Sequence, residues 1–232
     1  MNSHRFPGKA MERLAGRPLL QLLLQRVRRA TAIDRLVVAT STGQGDNAIQ
    51  DLCEPMGVTC VRGSEDDVLG RFMQVLDAHP AEAVIRICAD NPLTDPELLD
   101  DLADHFHRGQ FDYAYNNLPE CGYPDGVGAE IISGPLLRQI ALEAHEGPDR
   151  EHVTLFVKRH RKQFRTMALQ APTTLGRPDI RLDVDYPEDF RCMQSLCAVL
   201  PSRQAPYWST ADIIAAVDGH PRILQLRHSA AA

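Results

Sequence analysis

The first half of the chain predicts an α/β protein, a mostly parallel sheet covered by helices on both faces. Three observations carry that expectation. Short apolar runs at Leu36-Val37-Val38-Ala39-Thr40, Val58-Thr59-Cys60-Val61 and Ala83 to Ile87 have the length and lack of alternation of strands buried on both faces. Between them lie segments whose apolar residues recur at helical spacing. The alternation of strand and helix continues to about residue 115, and such alternation builds parallel sheets whose ligands sit beyond the carboxyl ends of the strands.

Taken in order, the chain opens with Arg5-Phe6-Pro7-Gly8-Lys9, two cations around a Pro-Gly turn. Glycine lets backbone amides approach a ligand closely, proline sets the chain direction, and Arg and Lys can meet an anion such as a phosphate. Taken alone, this reads first as an ordinary surface turn. Gly16-Arg17-Pro18 punctuates, and Leu19, Leu20, Leu23 and Val27 predict a helix with Arg26, Arg28 and Arg29 turned outward. Ile49, Leu52, Cys53 and Met56 mark a second helix, closed by Gly57. Ser64 and Asp67 supply an N-cap for a third, carried by Val68, Phe72, Val75 and Leu76. Asp95-Pro96-Glu97 starts a fourth, with Leu98, Leu99, Leu102 and Phe106 inward.

Between about 112 and 164 the rhythm breaks. Tyr113-Ala114-Tyr115 and Ala129-Glu130-Ile131-Ile132 predict strands off the main sheet, with Gly- and Pro-rich sequence between them and helices at 135–144 and 151–159. This segment reads as an insertion in one domain covering 1–232, because a sheet strand returns at 180–184. Helices follow at 187–200 and after Ser209.

Composition bounds the function. The net charge is −6, which argues against generic binding to nucleic acid or an anionic membrane and makes any anion site local. No run approaches the ~20 apolar residues of a membrane span. The six cysteines lack metal-ligand spacing and read as reduced thiols of a cytoplasmic protein.

Two acidic segments stand where the chemistry of such a fold belongs. Asp90 directly follows the third apolar strand, and Asp95 already serves as the next helix cap. Asp183 and Asp185 alternate to one side of the predicted 180–184 strand and its continuation, where they could share a cation. A Mg²⁺ ion on phosphates takes only one or two protein carboxylates. Glu188 and Asp189 read as first-turn charges favoured by the helix dipole. Asn116 and Asn117 read as turn residues.

Together these stretches resemble the CMP-sugar synthetase type of cytidylyltransferase, nearest the spore-coat polysaccharide biosynthesis proteins and similar also to the acylneuraminate and 3-deoxy-manno-octulosonate cytidylyltransferases. The carriers, in order, are Arg5 to Lys9, Gly16-Arg17-Pro18-Leu19, Val37 to Ser41, Arg62 to Leu69, Arg86 to Asp95, Pro124-Asp125-Gly126, Arg150-Glu151-His152-Val153-Thr154 and Asp185-Tyr186-Pro187-Glu188-Asp189. The resemblance implies a three-layer α/β/α Rossmann-like nucleotide-diphospho-sugar transferase (GT-A-like) fold with a mixed, mostly parallel sheet and a small β/α insertion. It implies transfer of CMP from CTP to an acidic or surface-polysaccharide sugar, with Mg²⁺ as cofactor and a homodimer formed through the 112–164 arm. Arg5 and Lys9 match the triphosphate-binding cations, and Asp90 and Asp185 the metal-binding carboxylates. Ser64 and Arg71 match the border of the nucleotide pocket, while Glu130, Arg150 and His152 match positions on the sugar side.

One feature departs from the pattern. Such proteins begin with a strand of roughly ten residues feeding the phosphate loop, whereas only Met1-Asn2-Ser3-His4 precedes Arg5. That strand would be the innermost of the sheet, and without it two neighbours expose unpaired backbone. The expectation is that Met1 is internal to a longer product, which would be soluble where the 232-residue form aggregates or is inactive. Equal solubility, melting and CTP binding for the two forms would contradict it. The alternatives at this stage are a GT-A glycosyltransferase using Asp183-Val184-Asp185 as a metal motif, and a truncated, non-catalytic relative.

Overall fold

The apolar runs do form strands, but the strands divide into separate groups. The computed structural model describes residues 5–227. A short antiparallel ribbon, β1 (Arg13–Leu14) and β2 (Arg17–Pro18), turns through Ala15 and Gly16, at φ 49° and 81°. Two central residues at positive φ make the tight hairpin turn that matches strand twist. Helix α1 (Leu19–Val27) follows at once. Strand β3 (Val37–Ser41), helix α2 (Asn47–Cys53) and strand β4 (Thr59–Gly63) form a unit in which β3 and β4 pair in parallel.

Helix α3 (Val68–Ala78) leads to β5 (Ala83–Arg86), and α4 (Pro96–Gly109) leads to β6 (Tyr113–Tyr115). Strand β7 (Glu130–Ser133) is followed by α5 (Gly134–Glu143), α6 (Gly147–Glu151) and α7 (Leu155–Arg159), then by β8 (Thr166–Ala168). These four strands form a mixed sheet in the order β5-β7-β6-β8. Pairing is antiparallel where β7 meets β5 and β6, and parallel between β6 and β8. Helices α8 (Pro187–Val199) and α9 (Thr210–Gly219) close the chain, with Ser209 and Asp212 forming a capping box at α9.

Two expectations need correction. Strands β6 and β7 do not stand off the main sheet. They are its most buried members, and β7 pairs directly with β5, setting Arg86 opposite Glu130. The loop between them stays on the sheet because Asn116 holds both sides: its Nδ2 donates to the Leu98 carbonyl at 3.1 Å and its Oδ1 accepts from the Ala129 amide at 2.8 Å. Residues 180–184, conversely, form no strand. They make a single parallel bridge, Asp125 to Arg181, and the segment bonds onward from the Val184 amide to the Asp90 carbonyl at 2.9 Å. The outer strand is β8, three residues too short to stand out in sequence.

Among the described residues no strand pairing joins β3 to β5, so one edge of each lacks a strand partner. Val38, Ala83 and Ile85 nevertheless pack on one apolar cluster with α1, α2 and α4, and remain only half-buried where full burial on both faces is expected.

Arg26 is the third correction. It is 0% exposed rather than turned to solvent. Its fork donates to the carbonyls of Thr94 (3.1 Å), Pro206 (2.5 Å), Leu93 (3.2 Å) and Trp208 (2.7 Å). Burial pulls its pKa down to about 10, with Asp95 opposing, so it stays charged at neutral pH. This one side chain fastens α1 to the loop behind β5 and to the segment before α9. Asp95 reinforces the join by capping α4 and accepting from the Thr210 amide and hydroxyl, both at 2.6 Å.

Two outcomes follow from this arrangement. Arg26→Met strands buried carbonyls without donors and should cost on the order of 3 kcal/mol in urea unfolding; a loss below about 0.5 kcal/mol would show that they find other partners. In hydrogen–deuterium exchange, amides of β3 and β5 should exchange faster than those of β6 and β7. Equal protection would mean that the two open edges are covered.

Candidate active site

Lys9 lies where three distant parts of the chain meet. Gly8, at φ 77°, turns the chain so that Lys9 begins a short 3₁₀ turn, and the Phe6 ring stands edge-on to Phe190 of α8 at 5.8 Å. A side chain at Gly8 would strain this left-handed conformation. The Lys9 ammonium donates to Asp90 Oδ2 at 3.0 Å, Asp185 Oδ1 at 3.2 Å and the Val184 carbonyl at 2.7 Å. Arg5 reaches Asp185 Oδ2 at 3.0 Å, and its guanidinium lies 5.4 Å from the Tyr186 ring centre. The four residues singled out for phosphate and metal chemistry are therefore assembled in one place.

The carboxylates are held from behind. The Asp90 carbonyl accepts from the Val184 amide, which ties the two acidic segments together. Asp189, buried in the first turn of α8, accepts from the Asp185 and Tyr186 amides at 3.0 and 2.9 Å. Arg227 then pairs with Asp189 at 3.2 Å and with Asp183 at 3.1 Å. Asp189 thus does more than answer the helix dipole, since it sets the backbone that carries Asp185. Among the described residues Asp183 and Asp185 share no protein cation. The Asp183 carboxylate is bound by Arg181 and Arg227, and the partner of Asp185 is Asp90. The irregular backbone of 180–184 explains the difference, because side-chain alternation requires a regular strand.

A cation fits this donor set. Two carboxylate oxygens and one carbonyl oxygen already converge within 3.2 Å of a single positive atom, the Lys9 nitrogen. Hard oxygen donors suit Mg²⁺, which completes its shell with waters and phosphate oxygens. Among the described residues no group of three or more His, Cys, Asp or Glu forms an all-protein metal cage.

The other expected residues are placed differently. Asp67, not Ser64, caps α3, accepting from the Gly70 amide at 2.8 Å, while Ser64 Oγ accepts from the Asp67 amide. Arg71 clamps the same turn through the carbonyls of Ser64 and Glu65, and its Nε is buried without a partner. No hydrogen bond or ion pair joins Ser64 or Arg71 to Lys9, Asp90 or Asp185 among the described residues. Arg150, expected on the sugar side, forks onto Asp67 at 2.9 and 2.6 Å and bonds the Ala141 carbonyl, so its role is to lock α6 to the start of α3. The Arg150 fork holds the Asp67 carboxyl below its ordinary range. His152 is exposed at the end of α6, and its ring makes no hydrogen bond or ion pair among the described residues.

Glu130 is 0% exposed and cannot itself touch an acceptor. Its Oε1 accepts from Tyr113 (2.5 Å), Thr154 (2.9 Å) and Lys158 (2.6 Å), and its Oε2 from Arg86 (2.7 Å). Burial alone would raise its pKa, but Arg86 and Lys158 outweigh burial and hold it below the ordinary carboxylate range. The same surroundings push the Tyr113 phenol far up. The sequence marks Arg86 only as the start of one motif and gives neither it nor Lys158 a role, although an arginine inside the 83–87 apolar run is a usable signal.

The family model described as Cytidylyltransferase matches residues 1–213. The chain belongs to the cytidylyltransferase family. It is 35% identical over 227 residues to the spore coat polysaccharide biosynthesis protein SpsF of Bacillus subtilis (strain 168), covering 95% of this chain and 92% of that protein. Its fold matches a cytidylyltransferase structure from Leptospira borgpetersenii serovar Hardjo-bovis (strain JB197), with TM-score 0.90 and 23% identity over 100% of this chain and 95% of that one. It also matches CMP:2-keto-3-deoxy-manno-octonic acid synthetase complexed with CTP, with TM-score 0.62 and 16% identity over 85% and 94% of the respective chains. The three-layer nucleotidyltransferase fold is thereby established, and no helix among the described residues is long and apolar enough to cross a membrane.

The Glu130 pairings give a pH dependence. Its carboxyl is depressed in the folded state, so its stabilisation is present above the unfolded pKa of about 4.3 and is lost as pH falls through the lower folded value. Glu130→Gln should therefore lower the urea midpoint at pH 7, and the gap to wild type should narrow below about pH 4. A gap that stays constant with pH would show that the ionised form contributes nothing.

Proposed function

We propose that this protein transfers a cytidylyl group from CTP to an acidic or surface-polysaccharide sugar, releasing pyrophosphate. The observation that carries the reading is the junction of Lys9 and Arg5 with Asp90 and Asp185 at the carboxyl side of β5. Two cations and two carboxylates sum to zero charge, so a polyanionic triphosphate gains little by entering alone. It needs an added cation, and the carboxylates then release Lys9 and Arg5 to phosphate oxygens.

In the reaction an acceptor hydroxyl gives up its proton to solvent as its oxygen attacks the α-phosphorus of CTP, a P–O bond forms, and the bond to the oxygen bridging the α- and β-phosphates breaks. Pyrophosphate leaves with that electron pair. Lys9 and Arg5 hold the departing phosphates and neutralise the charge that grows on them. Asp90 and Asp185 would hold Mg²⁺, which when bound supplies Lewis-acid stabilisation of the phosphate oxygens. Asp189 and Arg227 keep Asp185 in register, and Arg26 does the same for the loop carrying Asp90. The names of the Bacillus relative and of the CTP-bound synthetase support a sugar acceptor in surface-polysaccharide synthesis. The setting proposed is cytoplasmic, with the six thiols free, and the assembly a homodimer.

Two other readings have specific observations bearing on them. A GT-A glycosyltransferase would use Asp183 and Asp185 together, and the binding of Asp183 by Arg181 and Arg227 counts against it. A non-catalytic relative draws its support from the divided sheet.

The deciding experiment is pyrophosphate release from each of the four nucleoside triphosphates against a panel of sugar acids. CTP with one acid should turn over, and Asp90→Asn should lower turnover roughly 100-fold or more while leaving the melting temperature in place. Sugar transfer from a nucleotide-sugar with no pyrophosphate from CTP would replace this reading. A folded chain with no affinity for CTP would favour the non-catalytic one.

A further inference from the structure

The aspartates around the Lys9 junction are held by hydrogen bonds, with one exception. Asp90 and Asp185 accept from Lys9, Asp183 from Arg181 and Arg227, and Asp189 from the Asp185 and Tyr186 amides. The Asp125 carboxylate accepts no hydrogen bond among the described residues. Its ion pair with Arg181 Nε is long, at 3.6 Å, and its side chain is 48% exposed, within reach of water and of a ligand.

The backbone brings Asp125 to the site. Its amide donates to the Ile180 carbonyl at 2.9 Å and its carbonyl accepts from the Leu182 amide at 2.8 Å, while the Asp90 carbonyl accepts from the Val184 amide at 2.9 Å. Asp125 and Asp90 are thus tied to amides two residues apart, and two residues of chain span no more than about 7 Å. Gly126, at φ 94°, permits the approach, since a β-carbon there would stand 3.0 Å from the Asp183 nitrogen. Arg181 touches the carboxylates of Asp125 and Asp183 together, so both lie on one side of this segment.

The reaction has a proton to place. An acceptor hydroxyl becomes a better nucleophile as its proton leaves, and a carboxylate paired with Lys9 or with a metal is weakened as a base by that cation. Asp125 has only its long contact with Arg181. Partial burial raises its carboxyl above the ordinary range, the Asp183 carboxylate adds to the rise, Arg181 and Arg227 oppose it, and Asp90 adds to it again. A carboxylate so raised holds a proton more strongly, nearer the value that suits a general base at neutral pH.

We propose that Asp125 is the general base for the acceptor hydroxyl, separate from the two carboxylates that would hold the metal. This deepens the proposed function and rests on it for the reaction itself. The acceptor O–H bond breaks as its proton bonds to an Asp125 carboxylate oxygen, and the acceptor oxygen forms its bond to the α-phosphorus. The bond to the oxygen bridging the α- and β-phosphates breaks, and pyrophosphate leaves with that electron pair. Asp125, open to water, then passes the proton to solvent and returns to its ionised form.

The test uses the whole chain, with CTP and either 3-deoxy-manno-octulosonate or N-acetylneuraminate as the acceptor probe. Pyrophosphate release is followed across the pH range, and melting temperature, CTP affinity and CTP-dependent Mn²⁺ binding are measured beside it. Asp125→Asn should lower kcat about 100-fold or more and leave those three unchanged. Asp125→Glu, which keeps a carboxylate on a longer arm, should recover part of the rate. In wild type kcat should fall as pH drops through the raised carboxyl pKa, because only the ionised form accepts a proton, and Asp125→Asn should lack this acid limb. Arg181→Gln removes a cation that opposes the rise, so its acid limb should move to higher pH.

An Asp125→Asn variant that keeps most of its kcat, or keeps the acid limb, would overturn the proposal. Loss of Mn²⁺ binding in that variant would do so too, since it makes Asp125 a metal ligand. A fall in melting temperature with a rate loss that is the same at every pH would leave Asp125 a structural role only. The two readings fail distinguishably. Pyrophosphate release from CTP that does not need Asp125 removes the base and leaves the transferase, while no release from CTP with either acid in wild type removes both.

Discussion

A single ammonium group shared by two carboxylates organises this molecule. Lys9 reaches Asp90, 81 residues away, and Asp185, 176 residues away, so the opening turn, the loop behind β5 and the segment before α8 are brought to one point. Like charges so close are unfavourable unless a cation lies between them. The rest of the fold can be understood as what holds the three segments to that point. Phe6 rests on Phe190, Asp189 fixes the backbone of Asp185, Val184 bonds Asp90, and Arg26 anchors the loop from below.

Much of this was legible in the sequence because it is local. Asp90 follows an apolar run, Asp95 precedes a proline and a helical pattern, and the cap residues of α4, α8 and α9 announce themselves within four positions. The proposed catalytic set was likewise legible through eight motifs in order, each weak alone. What escaped was non-local pairing. Arg26 has the spacing of a surface residue, and nothing near it reveals that four carbonyls from positions 93 to 208 close around its fork. Arg150 and Glu130 were placed on the sugar side by the family resemblance, position by position. Each is instead satisfied within the protein, by Asp67 in one case and by Arg86 and Lys158 in the other.

The strands teach the same lesson. A run such as 36–40 reveals that it is apolar but not which neighbour it will have. Strands β3 and β5 share one core cluster yet lack pairing with each other among the described residues, and their half-burial records that. Strand β7 was displaced in the reading because the Gly- and Pro-rich loop before it resembles an excursion. Asn116 turns that loop back with two hydrogen bonds that only the folded chain can show.

The central claim is that Asp90 and Asp185 form one cation site which Lys9 fills until a nucleotide and a metal arrive. Mn²⁺ binding followed by electron paramagnetic resonance, with and without CTP, tests it most directly in wild type, Asp185→Asn and Lys9→Met. The account predicts CTP-dependent Mn²⁺ binding in wild type and its loss in Asp185→Asn. In Lys9→Met it predicts Mn²⁺ binding without nucleotide at least as tight as in wild type, because the competing ammonium is gone. Mn²⁺ binding that is indifferent to Asp185, or that falls in Lys9→Met without nucleotide as it does in Asp185→Asn, would contradict it.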